Sequence, residues 1–223
     1  MQNILLNGLE ELGFSKTNAE KYSQKLENYI KELRLFNSEY NLVNTDDHDQ
    51  IVIKHILDSL STVKEITSLL QNKTSPIIAD IGSGGGLPGI PLSIVLEEYN
   101  FVLIERMSKR CAFLENVAAV LGLKNVKVLN LEAEKVPPSY CDIAVFRAFR
   151  PLDKKMIKTL LNLIKDDGFL CAYKAKKENI IKEMSDINYQ ENEYKIIPLQ
   201  VPYLTQDSKE ETRERNLVLI RKE

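Results

Sequence analysis

The chain has 223 residues, of which 43% are hydrophobic and 28% charged, so it can bury a core of ordinary size as one large domain or a domain with an extension. No apolar run approaches the roughly 18 residues of a membrane span, and no basic region precedes the short Ile4-Leu5-Leu6 run, so neither a membrane protein nor a signal peptide is expected. The formal charge of −2 excludes a strong global field for nucleic acid. Residues 1–75 carry 8 Lys+Arg against 11 Asp+Glu and the remainder is nearly balanced, so any affinity for RNA must come from local patches.

Residues 1–75 read as helical. Ala19, Tyr22, Leu26, Tyr29, Ile30, Leu33 and Phe36 recur at helical spacing and form one apolar stripe, assigned to core packing. The helix runs into Asn37–Thr45, a polar segment with three asparagines. A second helix near Gln50–Leu70 buries Val52, Ile56, Leu60, Val63 and Leu70. His55, Asp58 and Ser59, at i, i+3 and i+4, share a neighbouring face. Hydrolysis would need an exposed nucleophile and an oxyanion site as well, so a hydrogen-bonded docking face against the following domain is the favoured reading of these three. Two histidines in the whole chain exclude a histidine-rich metal site. Cys111, Cys141 and Cys171 lack metal or redox spacing and read as buried, reduced thiols of a cytoplasmic protein.

Asn72–Pro76 is the linker, giving a helical extension at 1–75 and a second unit at 76–223 that together form one compact body. Strands then alternate with helices. The strands are expected near 77–81, 101–105, 126–130, 142–147, 169–174, 194–201 and 216–221. The helices are expected near 88–98, 108–121, 153–165 and 177–185. This alternation predicts a mainly parallel sheet with helices on both faces and a ligand crevice at the strand C-termini.

The most informative stretch is Ile77–Pro91. It opens as a buried parallel strand, breaks into glycines, and places Pro88 where the first turn of a helix can accept it. The dinucleotide fingerprint G-x-G-x-x-G fails from Gly82, because its third glycine would fall at Leu87, and fits poorly from Gly84. What fits is an acid, Asp80, followed by Gly82, Gly84 and Gly86 at alternate positions, a form that resembles motif I of the S-adenosylmethionine-dependent methyltransferases. A carboxylate there suits a cofactor carrying an ammonium and a sulfonium and would repel a pyrophosphate. The next strand ends in Glu105, 25 residues after Asp80, where an acid is placed to bind ribose hydroxyls. That feature serves a nucleoside in general.

Further along the same rim, Glu132-Ala133-Glu134 follows the third strand and can meet an adenine amino group. Arg147, Arg150, Lys154, Lys155, Lys174, Lys176 and Lys177 are expected to converge there as a phosphate-binding patch.

With these residues in place, the chain resembles the small-subunit (16S) ribosomal RNA guanine-N7 methyltransferases, the glucose-inhibited division protein B family, over nearly its whole length. The likeness rests on Asn37 with Tyr40-Asn41-Leu42, on His55–Leu60, on Asp80–Leu92, on Glu105, Lys109-Arg110 and Phe113-Leu114, and on Ala133-Glu134, Arg147-Ala148, Lys174 and Asn216–Lys222. The resemblance implies an α/β, Rossmann-like seven-stranded S-adenosylmethionine-dependent methyltransferase fold with an N-terminal helical extension. It implies that Gly82, Leu87, Ala133, Glu134 and Arg147 contact S-adenosylmethionine or lie beside it, joined by Asp80, Gly84, Gly86 and Glu105 from the motif. Two positions depart from the family pattern: Glu132 stands where an arginine is usual, reversing a charge near the pocket, and Ala175 replaces a glycine.

The reaction so implied is in-line displacement of a methyl group onto guanine N7. That atom has a free lone pair and no proton, so no general base and no metal are required. Arg147 is the residue expected to position cofactor or base; Arg150, Lys174, Lys176 and Lys177 are expected to hold RNA. The expected partner is ribosomal RNA within the small subunit, and the protein is expected to act as a monomer. The alternatives are a small-molecule methyltransferase on the same fold, since fold does not fix substrate, and a non-catalytic ribosome assembly factor. A dehydrogenase ranks last on glycine spacing.

Overall fold

Strand β1 (Ile77–Ile81) lies in the middle of the sheet, as a run of Ile-Ile-Ala-Asp-Ile covered on both faces should. The computed structural model describes residues 3–147, 152–190, 192–205 and 213–223. Around β1 the sheet adds β2 (Asn100–Glu105), β3 (Val126–Asn130), β4 (Cys141–Arg147), β5 (Ile164–Lys174), β6 (Lys195–Pro198) and β7 (Asn216–Arg221). The order is β3-β2-β1-β4-β5-β7-β6. The first five strands are parallel, whereas β7 runs antiparallel between β5 and β6. The order reverses at β1 and β4, and such a switch point opens the crevice in which α/β sheets bind ligands.

Side chains alternate between the two faces along each strand. Ile78, Ile143, Val145, Cys171 and Leu217 face one cluster, which also contains Leu5, Leu26, Ile30, Leu57, Ile90, Phe113 and Leu114. The helices α1 (Ile4–Glu11), α2 (Lys16–Tyr40), α6 (Gly89–Val95) and α7 (Ser108–Val120) therefore share one continuous core with the sheet. Ala79, Ile81, Ala144, Phe146, Ala172 and Val218 face the other cluster with α8 (Lys154–Leu163) and α9 (Lys177–Asp186). All three cysteines are buried thiols.

Two local features differ from the sequence expectation. The single helix foreseen at Gln50–Leu70 is instead α3 (His48–Ile51), a π-helical turn (Val52–Leu57), α4 (Asp58–Leu60) and α5 (Val63–Leu70). Hydroxyls in this segment bond to its own backbone: Ser59 donates to the His55 carbonyl at 2.6 Å, and Ser61 to that of Asp58 at 2.7 Å. Such bonds compete with the helical ladder. The second difference is β5, which starts at Ile164, directly after α8, with an irregular register between Cys141 and Ile143.

At the end of α2, Asn41 adopts φ +49° as the C-cap, and Asn37 accepts from the Leu42 and Val43 amides at 2.9 and 2.8 Å while donating to Asp46. The asparagine-rich segment is thus a built turn, and it carries Leu42 onto the glycine loop.

Candidate active site

The glycine loop is held from beneath. Asp80 is fully buried on the helical-extension side of β1, and its Oδ2 accepts the Gly89 amide at 2.9 Å. Burial pushes its carboxyl up to about 7, against hydrogen bonds from Gly89 and Ser83 and the positive charge of Arg147. Asp80 is not among the residues that line the adjoining cavity, and its carboxylate ties the loop to the start of α6. Gly89 is required for this approach, since a Cβ would collide with Leu103 and reach 2.6 Å from the Asp80 carboxylate.

Above Asp80 the backbone turns through Gly82, Gly84 and Gly86, all at positive φ, where L side chains are strained. A Cβ on Gly86 would also meet Ile90 at 2.5 Å. A Cβ on Gly84 would meet nothing nearer than the Gly82 carbonyl oxygen at 3.8 Å, and Gly84 donates its amide to Glu105 Oε2 at 3.0 Å; the other Glu105 oxygen accepts the Met107 amide at 2.9 Å. Leu87 is 7% exposed and packs into the core. The helical extension braces the loop from its far side: Tyr29 donates its hydroxyl to the Gly85 carbonyl at 2.5 Å, and Leu33 and Leu42 lie against Gly85.

Beyond the ends of β1, β2 and β3 lies a cavity of about 480 Å³, lined by Ile81, Gly82, Glu105, Met107, Arg110, Ala133 and Glu134, among others. The structure therefore brings together Gly82, Glu105, Ala133 and Glu134 as the sequence foresaw. Glu132 borders the same cavity and pairs with Lys135 at 3.5 Å. Asn130 supports the wall by donating to the Glu105 and Arg106 carbonyls. Arg110 borders the cavity too, and its Nη2 donates to the Asn41 carbonyl at 3.3 Å. Nucleoside binding matches this donor set. Glu105 is an acceptor for ribose hydroxyls, Glu134 lines the same cavity, and the Gly82 backbone borders the space with no side chain to obstruct approach.

A second cavity, of about 810 Å³, opens at the ends of β4 and β5. Among the described residues five cations border it, Lys54, Arg147, Lys174, Lys182 and Arg215, against three acids, Asp58, Glu183 and Asp186. Arg147 lies here and does not border the glycine-loop cavity. Its Nη1 donates to Asp58 Oδ2 at 3.0 Å and to the Lys54 carbonyl at 3.1 Å, and its Nη2 to His55 Nδ1 at 3.0 Å. A guanidinium has only donors, so His55 Nδ1 must accept and the ring proton sits on Nε2. Burial, then the charges of Arg147, Lys54 and Arg215, lower the His55 pKa to about 3, so the ring is neutral near pH 7.

Lys174 pairs with Glu183 at 2.8 Å and lies 5.7 Å from the centre of the Phe146 ring. Lys176 caps α9 and Lys177 is exposed as its first residue; neither borders the cavity. Arg150 lies outside the described residues. Lys154 and Lys155 are exposed on α8, away from this cavity.

Sequence reasoning missed Tyr29, Lys54, Lys182 and Arg215. Tyr29 had a signal, because a phenol within an apolar stripe needs a partner for its hydroxyl. The three cations are distant in sequence and only topology gathers them. Among the described residues no group of three or more His, Cys, Asp or Glu side chains is arranged to hold a metal, and no helix is long and apolar enough to cross a membrane.

A family model described as rRNA small subunit methyltransferase G matches residues 22–217. The chain belongs to that family. The ribosomal RNA small subunit methyltransferase G of Treponema denticola is 40% identical, covering 98% of this chain and 94% of that protein. The protein of the same name from Borrelia turicatae is 31% identical over the full length of both. Among solved structures, a SAM-dependent methyltransferase from Aquifex aeolicus superimposes with a TM-score of 0.53 at 17% identity, covering 79% of this chain and 94% of that one. The tRNA (m1A58) methyltransferase of Aquifex aeolicus gives 0.52 at 16%, covering 73% and 69%. At such identities these two structures establish the fold alone. For the rRNA small subunit methyltransferase G family, then, this chain displays a Rossmann-like methyltransferase sheet whose motif loop is braced by the family's own helical extension.

Proposed function

We propose that this protein transfers a methyl group from S-adenosylmethionine to N7 of a guanine in small-subunit ribosomal RNA. The observation that carries the reading is the pair of cavities on either side of the β1/β4 switch point, one bordered by Gly82, Glu105 and Glu134 and the other by five cations. Their chemistry is complementary to a cationic nucleoside on one side and to a polyanion on the other.

Gly82, Glu105, Ala133 and Glu134 would hold the cofactor, with Gly84 and Gly86 shaping the loop beside it. When bound, S-adenosylmethionine supplies an electrophilic methyl group on its sulfonium. The chain's own part is positioning, an effect that can contribute roughly 7–11 kcal/mol in favourable cases. Guanine N7 carries a lone pair and no proton, so no residue has to remove one, and no acid/base pair has to be found at the rim. Lys54, Lys174, Lys182 and Arg215 supply charge for phosphates, and Arg150, Lys176 and Lys177 are assigned the same role. Arg147, on the wall of the cationic cavity, orients the reacting partners. A guanine in folded RNA must be unstacked or exposed to reach this crevice. The protein acts as a cytoplasmic monomer, with residues 1–75 and 76–223 working as one compact unit.

The test is transfer of tritium from labelled S-adenosylmethionine to purified small ribosomal subunits, to their naked RNA, and to a metabolite pool. Label in N7-methylguanine of the RNA supports the reading. Label only among metabolites would make this a small-molecule enzyme, and cofactor binding without turnover would make it an assembly factor. Arg147→Ala should lower transfer at least about 100-fold, the scale at which misplacement of reactants is felt; unchanged activity removes Arg147 from the mechanism.

A further inference from the structure

We infer that His55 and Asp58, on the helical extension, are positioning residues of the transfer reaction that act through Arg147; this rests on the reading that Arg147 takes part in transfer. All the guanidinium's hydrogen-bond partners given above come from one short segment: the Lys54 carbonyl, His55 Nδ1 and Asp58 Oδ2, at 3.1, 3.0 and 3.0 Å. Arg147 ends β4, so the strand sets where its side chain starts while the extension sets where it finishes.

Each partner suits this task. Asp58 is 4% exposed, and its second oxygen lies 3.5 Å from Arg215 Nε, so one carboxylate sits between two guanidinium groups on opposite sides. His55 must remain neutral to accept through Nδ1, and its burial among cations keeps it so. The backbone that presents all three acceptors is the π-helical turn Val52–Leu57 and the residue after it. Turns of this kind cost regular hydrogen bonding and occur frequently at functional sites.

Simple docking of the extension does not call for these groups. Val52, Ile56, Leu57 and Leu60, from the same segment, are fully or almost fully buried in the shared core, and Tyr173 donates to the Ser59 carbonyl at 2.8 Å. A buried carboxylate and a neutral imidazole aimed at one guanidinium add orientation to attachment that already exists.

The experiment compares Asp58→Asn, His55→Leu, His55→Gln and Arg147→Ala, with the Asp58→Asn/Arg147→Ala double variant, in methyl transfer to small ribosomal subunits. Melting temperature and calorimetric binding of S-adenosylmethionine are recorded for each. Glutamine can return an acceptor to the Arg147 N–H, whereas leucine cannot. The expected result is a kcat loss of about tenfold or more for Asp58→Asn and His55→Leu, with His55→Gln within about threefold of wild type. The double variant should be no slower than Arg147→Ala alone, because residues acting through one group are not additive. Folded His55→Leu with wild-type turnover, or Asp58→Asn and Arg147→Ala losses that multiply, would overturn the inference while leaving Arg147 in the mechanism. An unimpaired Arg147→Ala would instead overturn the reading of Arg147 and this inference with it.

Discussion

Asp80 and His55 are two buried titratable side chains held in opposite senses. Asp80 has a folded-state pKa of about 7, raised by burial, so it binds a proton in the native protein that the unfolded chain has already released between about pH 4 and 7. Its contribution to stability is therefore present at low pH and lost as pH rises through 7. His55 has a folded-state pKa of about 3, lowered by burial, so the unfolded chain binds the extra proton between about pH 3 and 6.5. Its contribution is present above that window and lost as pH falls. Each slope is at most about 1.4 kcal/mol per pH unit. In melting experiments from pH 4.5 to 8, Asp80→Asn should gain on wild type as pH rises and His55→Gln should gain as pH falls. Parallel curves for either variant would refute the assigned burial. At the same scale, Gly86→Ala forces a positive φ and a clash with Ile90, so it should cost more than the roughly 1–3 kcal/mol expected of strain alone. Gly84→Ala carries the positive-φ strain alone, its nearest contact being the Gly82 carbonyl oxygen at 3.8 Å, and should fold, with thermal denaturation separating the two.

At the scale of elements, the strand and helix succession was readable because short buried apolar runs alternated with helical segments, and because the glycine run announced the first turn. The π-helical turn was not readable. Val52, Ile56 and Leu60 repeat as they would in a plain helix, while the features that mark the departure are a guanidinium arriving from 93 residues away and hydroxyls folding back on the backbone. Asp80 shows a related effect: the sequence places an acid at a strand end, and strand alternation turns it onto the face where Gly89 donates. Likewise α2 reads as packing, yet Tyr29 reaches the Gly85 carbonyl and couples the extension to the loop. Tyr29→Phe leaves that carbonyl without its donor, at a cost of about 1–3 kcal/mol. The expected outcome is a melting temperature lower by roughly 2–10 °C and weaker S-adenosylmethionine binding by calorimetry. Loss of stability with unchanged affinity would show that α2 merely packs.

For the whole molecule, a formal charge of −2 conceals a division of labour. Among the described residues, Glu105, Glu132 and Glu134 outnumber Arg106 and Arg110 around the glycine-loop cavity, whereas Lys54, Arg147, Lys174, Lys182 and Arg215 outnumber Asp58, Glu183 and Asp186 around its neighbour. Two of these last five cations were expected from sequence alone, since the extension, α9 and the start of β7 meet only once the sheet has formed. Binding to RNA through such a local patch should weaken as salt rises, with a modest slope set by the few phosphates contacted. Lys54→Ala/Lys182→Ala should lower that slope by about one to two units in log–log plots from filter binding, and an unaltered slope would put the RNA elsewhere.

The central claim is the identity of the methylated atom, and the most direct measurement is a map of N7-methylguanine along small-subunit ribosomal RNA from cells with and without this protein. One modified guanine is expected to be lost when the protein is removed and restored by the wild-type chain but not by Arg147→Ala. Identical maps, or a missing methyl group at any other atom, would contradict it.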